Sequence, residues 1–171
     1  SRGMCRVGPG GQALARADLV RPIELVLSSG EELNVLHFHL AEAINASFRI
    51  QCVAAGPDDL ATAPAIGRSA RFALHQKRAE RQWTGVVASI EQSGLGANGQ
   101  AEYHVTVASP LWLLTRRTNH RTFLHQSAPE IATKLLSEWK IDHALRLAEK
   151  HPKLELRVQY GETDYDFVRR I

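Results

Sequence analysis

The sequence is short of the features that mark secreted, membrane-spanning or nucleic-acid-binding proteins. Only two cysteines occur in 171 residues. Cys5 sits in a glycine-rich leader and Cys52 in an apolar run, so neither a disulfide framework nor a zinc spacing is present, and a reducing compartment is expected. The longest apolar stretches are broken by charges within a turn or two, well short of the roughly 20 residues a membrane helix needs. The N-terminus also lacks a charged-then-apolar pattern followed by small residues, so no signal peptide is expected, and a secreted fate would need a dedicated machine. Charge of one sign is scarce too. The 21 Lys plus Arg stand against 18 Asp plus Glu, scattered rather than gathered into a stripe, which argues against a nucleic-acid partner. A nucleophile elbow, a phosphate-binding glycine loop and a run of metal ligands are likewise missing.

What is present is period-two patterning. Residues 1–18 are read as a flexible leader set apart from the fold, dense in Gly and Pro at Gly8-Pro9-Gly10-Gly11, and could derive from an expression tag. From Ile23 to about Leu114, short alternating segments are separated by turn residues, the signature of half-buried antiparallel strands. Ile23 to Leu27 is one strand. Leu36, Phe38 and Leu40 then alternate with Val35, His37 and His39, which predicts that the first three point inward. Phe48, Ile50 and Cys52 repeat the pattern, and Gly56-Pro57-Asp58-Asp59 marks a loop. Arg71 to His75 and Trp83 to Ile90 are joined by a charged run, Gln76 to Arg81, suited to an exposed hairpin end. Tyr103, Val105 and Val107 complete at least six strands. Many short strands with Gly-rich turns point to a barrel or closed sandwich, which removes free edges.

The character changes after Thr118. Ser127 and Glu130 form a capping box around Pro129, and Ile131, Leu135, Leu136 and Trp139 recur at helical spacing. Leu154, Leu156 and Val158 alternate with Glu155, Arg157 and Gln159 as a strand. Thr163 then caps a second helix whose first turn carries Asp164 and Asp166, favoured by the helix dipole. Phe167, Val168 and Ile171 make an apolar stripe with no stop signal after it, which predicts a chain truncated within a longer protein.

Few residues suggest chemistry. His37 and His39 share a strand face and could share a metal, but no Cys, Asp or Glu partner lies near them in sequence, which favours two solvent-facing or interface histidines. Asp164 and Asp166 lie on different helix faces, so capping is favoured over acid–base work. His120, Arg121 and His125 are read as an ordinary solvated loop. Trp112 and Trp139, set among leucines, read as core. Lys77, Arg78, Arg81, Arg116, Arg117, His120 and Arg121 are the candidate interface positions. No catalytic, cofactor-binding or metal site is assigned.

A series of motifs, in order along the chain, resembles the N-terminal region of VgrG proteins, the spike of the type VI secretion system. The motifs are Trp83-Thr84-Gly85-Val86-Val87, Pro110-Leu111-Trp112-Leu113-Leu114-Thr115-Arg116-Arg117, the capped helix at Ser127 and Glu130, and Gln159-Tyr160-Gly161-Glu162-Thr163-Asp164-Tyr165-Asp166-Phe167-Val168. The resemblance runs from about Ile23 to Ile171, and departs at Gly161, where the family commonly has a larger polar residue. It implies a mainly β, α+β protein: an antiparallel barrel like the contractile-phage tail hub over 19–118, then the start of an incomplete α/β domain over 119–171. It further implies a structural role without enzymatic activity or cofactor. The partners implied are two more copies of the chain in a homotrimer, the Hcp hexamer tube and effector proteins. Assembly would occur in the cytoplasm, followed by export through the type VI system, with neither nucleic acid nor a stable membrane segment involved. Two other readings remain open on the residues alone. One is a small barrel binding single-stranded nucleic acid, which needs exposed aromatics such as Trp83 and Tyr103 beside basic residues; the other is a metal-dependent hydrolase built on His37 and His39.

Overall fold

The computed structural model describes residues 22–44, 46–76, 79–96 and 99–171. The leader assigned to 1–18 and the candidate interface residues Lys77 and Arg78 lie outside the described residues. Six strands come first: β1 (Ile23–Leu27), β2 (Glu32–Ala41), β3 (Arg49–Gly56), β4 (Ser69–Gln76), β5 (Ala79–Leu95) and β6 (Ala101–Ala108). They pair antiparallel in the closed order β1-β2-β3-β6-β5-β4, and β4 returns to β1 over Ile23↔Leu74 to Leu27↔Ala70. Alternation along each strand sends every second side chain inward, so Leu25, Leu33, Ile50, Phe72, Val87, Tyr103, Val105 and Val107 merge into one core. The phenol of Tyr103 is fully buried and donates to the Pro57 carbonyl, which satisfies the one polar atom it carries inside. Cys52 is also buried, and burial pushes its thiol up to about 12, making it a packing residue and not a nucleophile.

The chain must cross from β3 to β4, which are not neighbours in the ring. It does so through a single helical turn, α1 (Thr62–Ala65), and lays Leu60 and Ala65 against the barrel core. The crossover is tied at both ends. Ala101 N donates to Asp58 at 3.0 Å, and Gly67 N and Val87 N exchange hydrogen bonds with the carbonyls of Val87 and Arg68 at 2.8 and 2.9 Å.

One strand departs from its expected facing. The register of β2 against β3 shifts between Val35 and His37, and such a bulge flips the parity of everything beyond it. Leu33 and Val35 pack inward before the bulge, and Leu40 packs inward after it. Leu36, expected inside, is 40 % exposed, while Phe38 sits at the rim, 39 % exposed with its ring 5.3 Å from Phe72.

A smaller unit follows. A 3-10 helix (Pro110–Arg116) begins at Ser109, whose hydroxyl accepts from Leu111 N, and carries Leu111, Trp112 and Leu113 half-buried with Leu114 fully buried. Then come β7 (Thr118–Gln126), α2 (Ala128–Glu138), β8 (Leu154–Thr163) and α3 (Asp164–Arg170). β7 and β8 form a two-stranded antiparallel sheet. His120, Arg121 and His125, read from sequence as a loop, therefore lie in a strand; its inward set, Asn119, Arg121 and Phe123, is mostly polar and hides the alternation. The capping box forms as expected, with Ser127 N donating to Glu130 at 2.7 Å. Phe123, Ile131, Leu135 and Phe167 make a second core, with Phe123 stacked on Phe167 at 5.4 Å.

The alternation of β8 turns its polar residues inward. Gln159 is fully buried and Arg157 half-buried, whereas Leu154, Leu156 and Val158 are 41 %, 53 % and 41 % exposed. The polar side of β8 lies under the helices because its hydrogen-bond partners are there. Gly161, at φ +62°, is passed over in the pairing, which runs from Asn119↔Glu162 to His120↔Tyr160. It is a bulge residue in the left-handed region that glycine adopts at little cost.

Gly85 of the Trp-x-Gly motif has a steric reason to lack a side chain. A Cβ there would stand 2.4 Å from the Ala108 carbonyl oxygen and 2.9 Å from Val107. Backbone cannot yield as a flexible side chain can, so Gly85→Ala is expected to destabilise the barrel by about 1–3 kcal/mol. Denaturant unfolding measures this, and a midpoint equal to that of the unaltered chain would contradict the packing account.

Candidate functional site

His37 and His39, the candidate metal ligands, lie exposed on the outer wall of the barrel. His37 stands opposite Val53, which stands opposite His104, which stands opposite Glu91. Two strand spacings, about 9–10 Å, separate His37 from His104. The four residues, with His39 and Gln51, line a shallow depression of about 370 Å³. Among the described residues, no group of three or more His, Cys, Asp or Glu is placed to hold a metal ion. The aromatic pair considered for base stacking faces the other way, since Trp83 is 8 % exposed and Tyr103 fully buried. Neither offers an open ring face.

The described basic candidates are engaged with partners from their own chain. Arg81 pairs with Glu42 and lies 4.6 Å over the Trp83 ring, whose indole N–H donates to the other oxygen of Glu42 at 2.9 Å. Arg81, and secondarily Trp83, holds the Glu42 carboxyl below its ordinary value. Arg116 lies 5.2 Å over Trp112. Arg121 grips Glu138 through both guanidinium nitrogens at 2.7 and 2.9 Å, and Arg117 reaches the same carboxylate at 2.6 Å. Arg121, with help from Arg117, keeps Glu138 ionised below the usual glutamate range. His120 stands edge-on to Tyr160 at 4.9 Å.

The densest polar constellation is centred on Asp164. Its side chain has no solvent exposure. One carboxylate oxygen accepts from Arg117 Nε at 2.7 Å and Trp139 Nε1 at 2.9 Å; the other accepts from Gln159 Nε2 at 2.9 Å and Asn119 Nδ2 at 3.3 Å. Its backbone N–H donates to the Arg117 carbonyl at 3.1 Å. One carboxylate thereby joins the segment after the 3-10 helix, β7, the end of α2, β8 and the start of α3. Burial by itself would raise the Asp164 carboxyl, but the four side-chain donors outweigh it and hold it below the ordinary aspartate value. The Thr163 cap forms as expected, its hydroxyl accepting from Asp166 N at 3.1 Å, whereas Asp164, expected only to serve the cap and the helix dipole, turns inward. Tyr160 points outward, 79 % exposed. Glu162 pairs with Arg170, which lowers its carboxyl.

All four side-chain donors of this constellation come from the chain itself and converge on one carboxylate. The arrangement fixes geometry. The open feature is the outer face of the β7–β8 sheet, which sequence reasoning missed because the alternation of β8 leaves open which set of residues faces in. Leu124, Leu154, Leu156, Val158 and Tyr160 are all at least 41 % exposed there.

Comparison with known proteins agrees with a structural part. Residues 41–171 match the phage tail baseplate hub (GPD) family. The type VI secretion system spike protein VgrG1b of Pseudomonas aeruginosa is 33 % identical over 128 residues, covering 73 % of this chain and 17 % of that protein. The chain thus spans about a sixth of that relative's length. Among solved structures, the Escherichia coli c3393 protein is described as a type VI component similar to the phage T4 tail proteins gp27 and gp5. It superposes with a TM-score of 0.63 at 25 % identity, over 81 % of this chain and 39 % of its own. A tail protein from Neisseria meningitidis has a TM-score of 0.60 at 17 % identity, over 86 % of this chain and 44 % of its own, which speaks for the fold alone.

Two measurements test the polar constellation. Asp164→Ala strands four donors and is expected to cost about 3–5 kcal/mol of stability, read from the shift in unfolding midpoint. The pH dependence follows from the lowered carboxyls. The backbone of Ser127, then Lys153 and the Ser127 hydroxyl, hold Glu130 at about 2 against an ordinary 4.5. A carboxyl depressed in the folded state stabilises it above its unfolded pKa and loses that contribution as pH falls through the folded value. The melting temperature should therefore hold steady above about pH 5 and fall as acid is added from 4.5 toward 2, less steeply in Glu130→Gln. A flat profile over that interval would contradict the capping geometry.

Proposed function

Because this chain belongs to the phage tail baseplate hub family and is a relative of the VgrG spike proteins of type VI secretion, we propose that it serves as one barrel of a trimeric spike hub seated on the Hcp tube. The observation that carries the reading is the closed six-stranded barrel within a chain whose residues 41–171 match that family. A ring that transmits thrust needs walls that neither slip nor recruit stray strands. Closure supplies both, since every strand of the barrel has a hydrogen-bonded neighbour on each side and no edge is left to pair with another chain. Closed threefold symmetry would then place three copies around one axis, so that each subunit presents the same surfaces to its neighbours.

In this reading the chain is a structural part and not an enzyme. Its polar residues are used for joining elements, as Arg117, Arg121 and Asp164 are. The finer roles belong to the proposal: three copies in the assembled hub, contact with the Hcp hexamer, carriage of effector proteins, assembly in the cytoplasm and export by the type VI machine. No helix among the described residues is long and apolar enough to cross a membrane.

Native mass spectrometry of the natural gene product containing this chain, with and without purified Hcp, tests the proposal. A threefold mass that retains Hcp is the expected result. A monomer with no affinity for Hcp would overturn it.

A further inference from the structure

We propose that the seam between the barrel and the smaller unit is a docking groove for an acidic polypeptide segment of another protein, one that carries carboxylates beside an apolar side chain. This inference does not depend on the hub reading. It starts from two cavities that meet at Ser47 and Tyr165, one of about 170 Å³ and one of about 360 Å³. Arg49, Trp112 and Thr115 wall the smaller; Leu111, Leu114, Val168 and Arg169 wall the larger. Backbone bonds hold the seam in place. Arg49 pairs with Ala108 where β3 starts and β6 ends, and Ser109 N donates to the Phe48 carbonyl at 3.1 Å. The 3-10 helix turns back at once, with Trp112 N donating to the Ser109 carbonyl at 2.8 Å.

The charge of this groove is one-sided. Neither cavity is lined by an Asp or Glu among the described residues. Arg49, Arg116 and Arg169 are exposed, and none has an ion pair or a side-chain hydrogen bond among the described residues. Arg71, Arg81, Arg117, Arg121 and Arg170, by contrast, each hold a carboxylate of their own chain. Arg116 lies 5.2 Å over Trp112 and Arg169 5.6 Å over Tyr165. Two rings that line the cavities thus steady guanidinium groups whose N–H donors are uncommitted. Between the cavities, the Ser47 hydroxyl is buried and has no hydrogen-bond partner among the described residues. It is a donor that an incoming carboxylate satisfies.

Size and chemistry select the occupant. Guanidinium forks without a carboxylate of their own match carboxylates bidentately. The space beside Arg49, about 170 Å³, is well below the roughly 300 Å³ at which small-molecule sites begin, so it admits a single side chain. The larger cavity has an apolar wall in Leu111, Leu114 and Val168, which suits an aliphatic side chain of the same segment. A nucleic-acid strand is the poorer fit. Trp112 and Tyr165 are half-buried and each already carries a guanidinium, so neither offers a base an open face.

Fluorescence anisotropy tests this with three labelled probes added to this chain: the peptide Glu-Glu-Leu-Glu-Glu, its lysine counterpart Lys-Lys-Leu-Lys-Lys, and a single-stranded oligothymidylate. Saturable binding of the acidic peptide alone is expected. Arg49→Glu and Arg169→Glu should each weaken it about tenfold or more, and Ser47→Ala about threefold. Arg146→Glu, which reverses an exposed arginine outside the groove, should change it far less. Where Arg49→Glu disturbs the start of β3, Arg169→Glu on the exposed side of α3 carries the test. No binding of the acidic peptide, an equal loss in Arg146→Glu, or equally tight binding of the oligothymidylate would each overturn the proposal. Two further results would overturn it as well. One is binding that vanishes in the natural gene product containing this chain, where its own polypeptide would then fill the groove; the other is self-association abolished by Arg49→Glu, which would make a second copy the occupant.

Discussion

The ladder between β1 and β4 is the constraint from which the barrel follows. Those two strands are separated in sequence by two others, and their five paired positions, Ile23↔Leu74 to Leu27↔Ala70, convert an open sheet into a ring. Once the ring is closed, its interior has a fixed volume, and the inward residues must fill it without strain. That is why Gly85 cannot carry a side chain where β5 crosses the Ala108 carbonyl. It is also why the β3-to-β4 crossover lays Leu60 and Ala65 against the core, where open chain would leave apolar surface wet.

The smaller unit is organised by a charge, because it is too small to be organised by a core. Four buried residues with a few partly buried neighbours are little apolar surface for five elements. Asp164 adds directional bonds to each of the elements around it. Its donors come from 47, 45, 25 and 5 positions away in the chain, so the carboxylate is satisfied only when all those elements are in place. A buried charge with its full set of partners is compatible with one arrangement and penalises the rest.

That dependence on distant residues explains what the sequence makes legible and what it hides. β6 is readable because Tyr103, Val105 and Val107 alternate without interruption and the strand lies wholly within the ring. The capping box at Ser127 and Glu130 is readable because both halves lie within four residues. The bulge in β2 has no local signature, so Leu36 reads as inward and Val35 as outward although the structure has them the other way round. β7 is hidden by His120, Arg121 and His125, whose polarity suggests a loop until β8 is there to pair with it. Asp164 reads as one of two capping acids because nothing nearby announces Arg117, Asn119, Trp139 and Gln159 as its partners.

The inward facing of the polar residues of β8 follows from a balance between these forces. Turning the strand over would bury Leu154, Leu156 and Val158, but it would carry Gln159 away from Asp164 and leave a buried carboxylate short of a donor. Complete burial of an aliphatic side chain is worth about 1.5–3 kcal/mol, and these three are already about half covered, so the gain forgone is roughly half of that for each. Losing a partner of a buried charge costs about 3–5 kcal/mol. The two sums are of similar size in the isolated chain, and the polar network prevails because it also fixes α2 and α3 in position. The face left outward is then a store of unburied apolar surface. A strand that keeps its hydrogen-bonding residues inside and its leucines outside is better suited to a part that is assembled than to one that works alone.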